Sequence, residues 1–303
     1  MAEKQDILVI GGGIAGLTAG LHAARAGKTT RILIGAALGG NLLSIEKIEG
    51  LPDYPDGVAG FELCPMIQMD AAEAGATFSM VEADSIAREG DLWRVKTAEG
   101  DIEAGAVILA SGTSFRRLGV PGEDRLFGRG VSQCASCDAP LLRDKRVVVV
   151  GGGDSAMQEA LALIGVVSQI TILTDGETFT GQQSFIDRVT GNGSVEVKTG
   201  VTVEEILGET VVEGVRCRDG NGTAEIAAEG VFVFIGMTPN TAFLGGLLEL
   251  DMEAQVPVDD AMATGLPGLF AAGTLRANAA CRAVASAEDG RVAAESAIRY
   301  LGG

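Results

Sequence analysis

ILVIGGGIAG, residues 7–16, sets an apolar run directly against a glycine-rich turn. Ile7–Ile10 reads as a short buried strand, because it is apolar throughout and is followed at once by residues that break periodicity. A helical segment continues to about Ala26, and a second apolar run at Arg31–Ile34 completes a strand, turn, helix and strand unit. In such a unit Gly11 permits the tight turn, Gly13 lets the backbone approach a pyrophosphate, and Gly16 lets the helix pack closely on the strand. The N–H groups at the helix start then hold the phosphates. The acidic ribose ligand expected further on is missing, since Ile34 and Gly35 stand in its place.

The unit recurs. RVVVVGGGDSA at 146–156 leads to a helix ending near Ile164 and a strand at Gln169–Leu173, and its Gly151 lies 140 residues after Gly11. Between the copies, Val107–Leu109 runs into ASGTSFRRLGVPGE, where Gly and Pro mark a crossover. A second crossover follows Val231–Ile235 at GMTPN, after which VPVDD, GLPGLFAAGT and a helical tail from Ala283 to Tyr300 return to the first unit. The pattern predicts an α/β fold of two Rossmann-like nucleotide-binding domains, the second inserted into the first. The expected limits are 1–114 and 241–303 for the outer domain and 115–240 for the inserted one.

Composition agrees: 47% of the 303 residues are hydrophobic, 4% are aromatic and 44 are glycine, which suits packed α/β units. The net charge of -18 repels phosphate backbones and anionic lipid heads, arguing against nucleic-acid and membrane-surface partners. No apolar run reaches the roughly 20 residues of a membrane span. Glu3, Lys4 and Asp6 precede the first strand without a signal-peptide pattern, so a cytoplasmic location is expected.

The five cysteines are Cys64, Cys134, Cys137, Cys217 and Cys281, too sparse for a disulfide framework. CASCD, Cys134–Asp138, stands just before the second glycine turn, where a Cys-x-x-Cys signals dithiol redox chemistry or half a metal site. A zinc site would need scattered help from Cys64, Cys217 or Cys281, because the only histidine, His22, lies on the first helix. No metal is therefore expected, and the redox reading is preferred to an inert pair. Asp138 can exchange a proton with a thiolate or thiol, or serve only as an acid at a helix terminus. Packing roles are expected for His22, Cys64 and Cys217.

The order GGGIAG, LGGN, LASGT, GVPGED, CASCD, GGGDSA, FIGMTPN and GLFAAGT resembles the low-molecular-weight thioredoxin reductases from end to end. The resemblance implies FAD in the outer domain, held by Gly11, Gly12, Gly13, Ile14, Ala15 and Gly16, by Gly39, Gly40 and Asn41, by Ala110, Ser111 and Gly112, and by Gly273, Thr274, Arg282 and Ala283. It implies that Cys137 faces the flavin and Cys134 attacks the disulfide of thioredoxin or a thioredoxin-like protein. A homodimer is expected.

The chain departs from that family in four places. NADPH-dependent members carry a basic cluster after the second glycine unit, whereas LTDGETFTGQQSFID, 173–187, holds Asp175, Glu177 and Asp187 and no Lys or Arg. This argues against NADPH and leaves NADH open, since Asp175 can bind a ribose hydroxyl or simply form a turn with Gly176. Thr274 replaces the Asp of an AAGD motif, Gly50 replaces an Asn, and Cys281-Arg282 stands for an Arg-Gln pair. Together these suggest another electron source, ferredoxin or a second flavin. The rival readings are an NADH-dependent reductase serving a peroxiredoxin and a non-enzymatic flavin redox sensor. Ferredoxin-NADP reductase relatives have no need of CASCD.

Overall fold

The computed structural model describes residues 3–45, 47–51 and 53–302. The chain begins with β1 (Glu3–Ile10), α1 (Ile14–Arg25), β2 (Thr30–Leu33), α2 (Gly60–Glu73), β3 (Thr77–Ser79), β4 (Ser85–Glu89), β5 (Leu92–Thr97) and β6 (Gly100–Leu109). It crosses at β7 (Thr113–Phe115) into α3 (Glu123–Leu126), β8 (Val131–Ser132), α4 (Ala135–Asp138), β9 (Arg146–Val150), α5 (Asp154–Leu163), β10 (Gln169–Leu173) and α6 (Gln183–Thr190). Then come β11 (Val195–Lys198), β12 (Thr202–Leu207), β13 (Gly214–Asp219), β14 (Gly222–Ala227) and β15 (Gly230–Val233). It crosses back at β16 (Met237–Pro239) and ends with β17 (Leu269–Ala271) and α7 (Ala283–Gly302). The two crossing strands pair with each other.

The chain divides into two compact units, one running to Ser114 and resuming at Thr238, the other Phe115–Met237. In the first, β3-β2-β1-β6-β5-β4 form one sheet with β17 on β6, parallel except where β5 meets β4 and β6. Ile7 and Val9 face one core with alanines of α1 and α7, while Leu8 and Ile10 face a second with Trp93 and Val95. Burial on both faces is why these strands are apolar without alternation. β1 begins earlier than the apolar run, because β6 extends far enough to pair Glu3 with Ile102 at the exposed end of the ladder.

The second unit repeats this arrangement with the parallel sheet β11-β10-β9-β15-β8. Val148 and Val150 line one core, Val147 and Val149 the other. An antiparallel meander of β12, β13 and β14, which the glycine-turn pattern does not announce, packs Val203, Ile206, Val215 and Cys217 into the first of these cores. The α/β class and paired Rossmann-like units are those read from the sequence. Among the described residues no helix is long and apolar enough to cross a membrane.

Candidate active site

In the first unit, β1 ends in a turn that tolerates no side chain at Gly11. A Cβ on Gly11 would lie 2.1 Å from Ala110 O, and one on Gly16 2.0 Å from Gly11 O. Gly13, by contrast, has nothing within 4 Å of a Cβ position, and it opens α1 without any side-chain cap. The first amides of α1 therefore have an open approach, the condition for holding a pyrophosphate.

Neighbouring loops gather at the same end of the sheet. Gly39 donates its N–H to Gly12 O at 2.8 Å, a Cβ on Gly40 would lie 3.9 Å from Gly13 Cα, and Asn41 Nδ2 donates to Thr113 O at 2.9 Å. After β6, Ala110 donates its N–H to Ile10 O, Ser111 Oγ donates to Asn240 O at 2.8 Å, and Asn240 N donates to Gly112 O at 3.0 Å. Thr274 joins them through its hydroxyl, 3.2 Å from that of Thr113. Gly273 packs against Ala15, and its N–H donates to Asp289, which is 6% exposed and bound by Arg276. Arg282 and Ala283 stand at the start of α7. The Arg282 side chain is exposed and makes no hydrogen bond or ion pair among the described residues.

Four contributors escape a reading of local sequence. Asn240 closes the GMTPN crossover but acts on Ser111 and Gly112, and Arg276 and Asp289 meet only when α7 folds back under Gly273. Glu82, in the loop after β3, places its Cγ 3.8 Å from a Cβ position on Gly35, an acid beside the strand end where Ile34 and Gly35 offer none.

In the second unit Cys134 and Cys137 form a disulfide at the first turn of α4. Cys137 is exposed and Cys134 half-buried, and the Cys137 N–H donates to Cys134 Sγ at 3.2 Å. Ser132 Oγ accepts the Cys134 N–H at 3.0 Å, and Glu159 of α5 accepts the Ala135 N–H at 2.7 Å. Ala135 and Ala139, both buried, seat the turn against Ala156, Met157 and Ala160. Asp138 ends α4, half-buried and adjacent to Cys137.

The second glycine turn is similar to the first, with Gly151 against Phe234 O. Asp154, the first residue of α5, accepts the Gln182 N–H at 2.6 Å and its amide side chain at 3.1 Å, and these donors hold its carboxyl below the usual range. Asp175 and Glu177 are exposed, and Asp187 accepts from Gln183. The structure adds a cation that the 173–187 stretch lacks. Lys198 at the end of β11 hydrogen-bonds through its carbonyl to Thr174 N, and its ammonium is paired with Glu196 at 2.7 Å. His22 is half-buried on α1, where burial and then Arg25 lower its pKa. Cys64 and Cys217 are buried, and burial pushes the Cys64 thiol up to about 11.

Comparison with known proteins agrees with this layout. The family described as pyridine nucleotide-disulphide oxidoreductase matches residues 5–290. A thioredoxin reductase of Treponema pallidum is 36% identical over 303 residues, 99% of this chain and 98% of its own. Among solved structures, Lactococcus lactis thioredoxin reductase in its FR conformation is similar with a TM-score of 0.91 at 28% identity, covering 98% of this chain and 99% of its own. A ferredoxin-flavin thioredoxin reductase from Clostridium acetobutylicum is similar with a TM-score of 0.55 at 27% identity, covering 100% and 99%.

Proposed function

The chain belongs to the pyridine nucleotide-disulphide oxidoreductase family as a thioredoxin reductase-like FAD disulfide oxidoreductase, and on that premise we propose that it carries electrons through Cys134 and Cys137 to the disulfide of a thioredoxin-like protein. The observation that carries this reading is the Cys134–Cys137 disulfide, seated on the second Rossmann-like unit with Cys137 exposed. We assign FAD to the first unit, where Gly11–Gly16, Gly39–Asn41, Ala110–Gly112, Gly273 and Thr274 converge, with Arg282 and Ala283 at its rim. The open amides at Gly13 and the side-chain-free turn at Gly11 and Gly16 fit a dinucleotide there.

Bound FAD supplies the two-electron reduction of the disulfide. The protein's part is to receive it: the Sγ–Sγ bond opens, Asp138 delivers a proton to Cys137, and Cys134 keeps the Cys137 N–H as donor to its thiolate. Cys134 then attacks the partner's disulfide, Cys137 gives up its proton and resolves the mixed disulfide, and the partner leaves as a dithiol carrying that proton and one from solvent. We assign a homodimer in the cytoplasm.

The donor is the second part of the proposal. Asp175 and Glu177 are exposed beyond β10, and Lys198, the cation beside that strand end, is committed to Glu196. One half-exposed lysine already shared with Glu196, beside exposed Asp175 and Glu177, gives a nucleotide 2′-phosphate less charge-assisted bonding than a basic cluster would, so NADPH is a poor donor, and NADH, a second flavin or ferredoxin takes its place. A ferredoxin-flavin thioredoxin reductase stands among the similar structures, which keeps ferredoxin among the donors to be tested. Anaerobic bleaching of the flavin with NADPH, NADH and reduced ferredoxin in turn tests this. Fast, saturable bleaching by low-micromolar NADPH contradicts it. Turnover with a disulfide protein excludes a silent redox sensor.

A further inference from the structure

Glu159 lies far from the cysteines in sequence, yet its carboxylate takes the Ala135 N–H at 2.7 Å. That amide is the first of α4, the turn whose Cys137 N–H faces Cys134 Sγ at 3.2 Å. Ala135 N is joined covalently to Cys134, so the carboxylate lies within about 7 Å of Cys134 Sγ. The turn thus offers its amides to two anions once the disulfide opens: the Cys134 thiolate and Glu159. Two negative charges this close repel each other. Reduction breaks the Sγ–Sγ bond and takes in two electrons and one proton to leave one thiol and one thiolate. The thiolate form is the one that meets Glu159.

We infer that Glu159 is a positioning residue for the redox pair: it ties the Cys134–Cys137 turn to α5 through Ala135, and its charge makes the pair more strongly reducing. The inference rests on the relay proposed above. Asp138, the other acid of the turn, is left intact in the test. It also explains why α5 carries an acid on a flank where Ala156, Met157 and Ala160 otherwise make an apolar seat for Ala135 and Ala139.

The test uses the FAD-loaded full chain, equilibrated anaerobically at neutral pH with reduced and oxidised dithiothreitol, acid-quenched, alkylated and read by mass spectrometry on the peptide carrying Cys134 and Cys137. In each exchange dithiothreitol closes its own S–S bond as the protein's opens, and its two hydrogens pass to the protein, one being released where Cys134 stays ionised. Glu159→Gln keeps an acceptor for Ala135 and removes the charge. It is expected to raise the equilibrium constant for reduction at least tenfold, about 30 mV for a two-electron couple. Glu159→Ala is expected to move it the same way, and it is read by the same criterion if Glu159→Gln fails to retain FAD. A value within twofold of wild type overturns the role of Glu159. A wild-type pair that does not open and reclose at all contradicts the relay itself.

Discussion

Arg276 and Asp289 clasp each other beneath the turn after β17, with Nε and Nη2 of the guanidinium 2.6 and 2.9 Å from the two carboxylate oxygens. Asp289 also receives the Gly273 N–H at 3.2 Å, so one buried acid holds both the turn and the helix α7 that supplies it. Removing one partner of such a pair strands the other charge. Asp289→Ala should therefore cost about 3 kcal/mol or more in urea unfolding, and should lower the FAD retained on gel filtration. Unchanged stability and flavin content would show that the clasp holds nothing.

Gly16 is the tightest point of the first glycine turn. Gly16→Ala would press a methyl to 2.0 Å from the Gly11 carbonyl, and backbone cannot yield as a flexible side chain does. The variant should purify with little FAD, measured by absorbance near 450 nm. Gly13→Ala, which meets nothing within 4 Å in the protein, should keep its fold, and any loss of FAD there reports the ligand rather than the scaffold.

The thiols should sort by burial. Cys64, buried and raised to about 11, is about a thousandth ionised at pH 8, while Cys281 is exposed. At pH 8 iodoacetamide should label Cys281 within minutes and leave Cys64 intact until denaturant is added. The Cys64 rate should climb as pH approaches its pKa, since the thiolate is the nucleophile. Equal rates for the two in the folded protein would contradict the burial of Cys64, whose Sγ lies 3.3 Å from a Cβ position on Gly39.

His22 sets the sign of a pH effect. Its folded pKa is lowered, chiefly by burial, below the ordinary value near 6.5. The unfolded chain then binds the extra proton more readily, so the contribution of His22 is complete above the unfolded pKa and is lost as pH falls through the folded one. His22→Gln should flatten the fall in stability below about pH 6.5. A variant with the same slope as wild type would assign that fall to other groups.

NADPH should reduce the flavin only at high concentration. Each charge-assisted bond to a 2′-phosphate is worth about 1.5–3 kcal/mol, so lacking two weakens binding by roughly a hundredfold or more. Stopped-flow bleaching against NADPH concentration checks this. Half-saturation in the low micromolar range would contradict the reading of NADPH as a poor donor.

The fold was legible because both dinucleotide units announce themselves locally. β9 and β10 fall at the residues read from the apolar runs at Arg146–Val150 and Gln169–Leu173, since strands buried on both faces are apolar throughout. The meander from Thr202 to Ala227 was not legible, because its alternation is short and broken by turns. At the site, the disulfide was visible as a three-residue spacing. Glu159, Asn240, Glu82 and the Arg276–Asp289 clasp were not, because each acts across the chain: the Ala135–Glu159 bond spans 24 residues and the Ser111–Asn240 bond 129. Lys198 shows the same limit, standing beside Thr174 through strand pairing while absent from the stretch around it.

The central claim is that Cys134 and Cys137 carry the electrons, and single serine substitutions test it most directly. With whichever donor bleaches the flavin fastest, turnover of a thioredoxin-like disulfide should be lost in both Cys134→Ser and Cys137→Ser, while FAD content and flavin bleaching persist. Retained turnover in both variants would contradict the account.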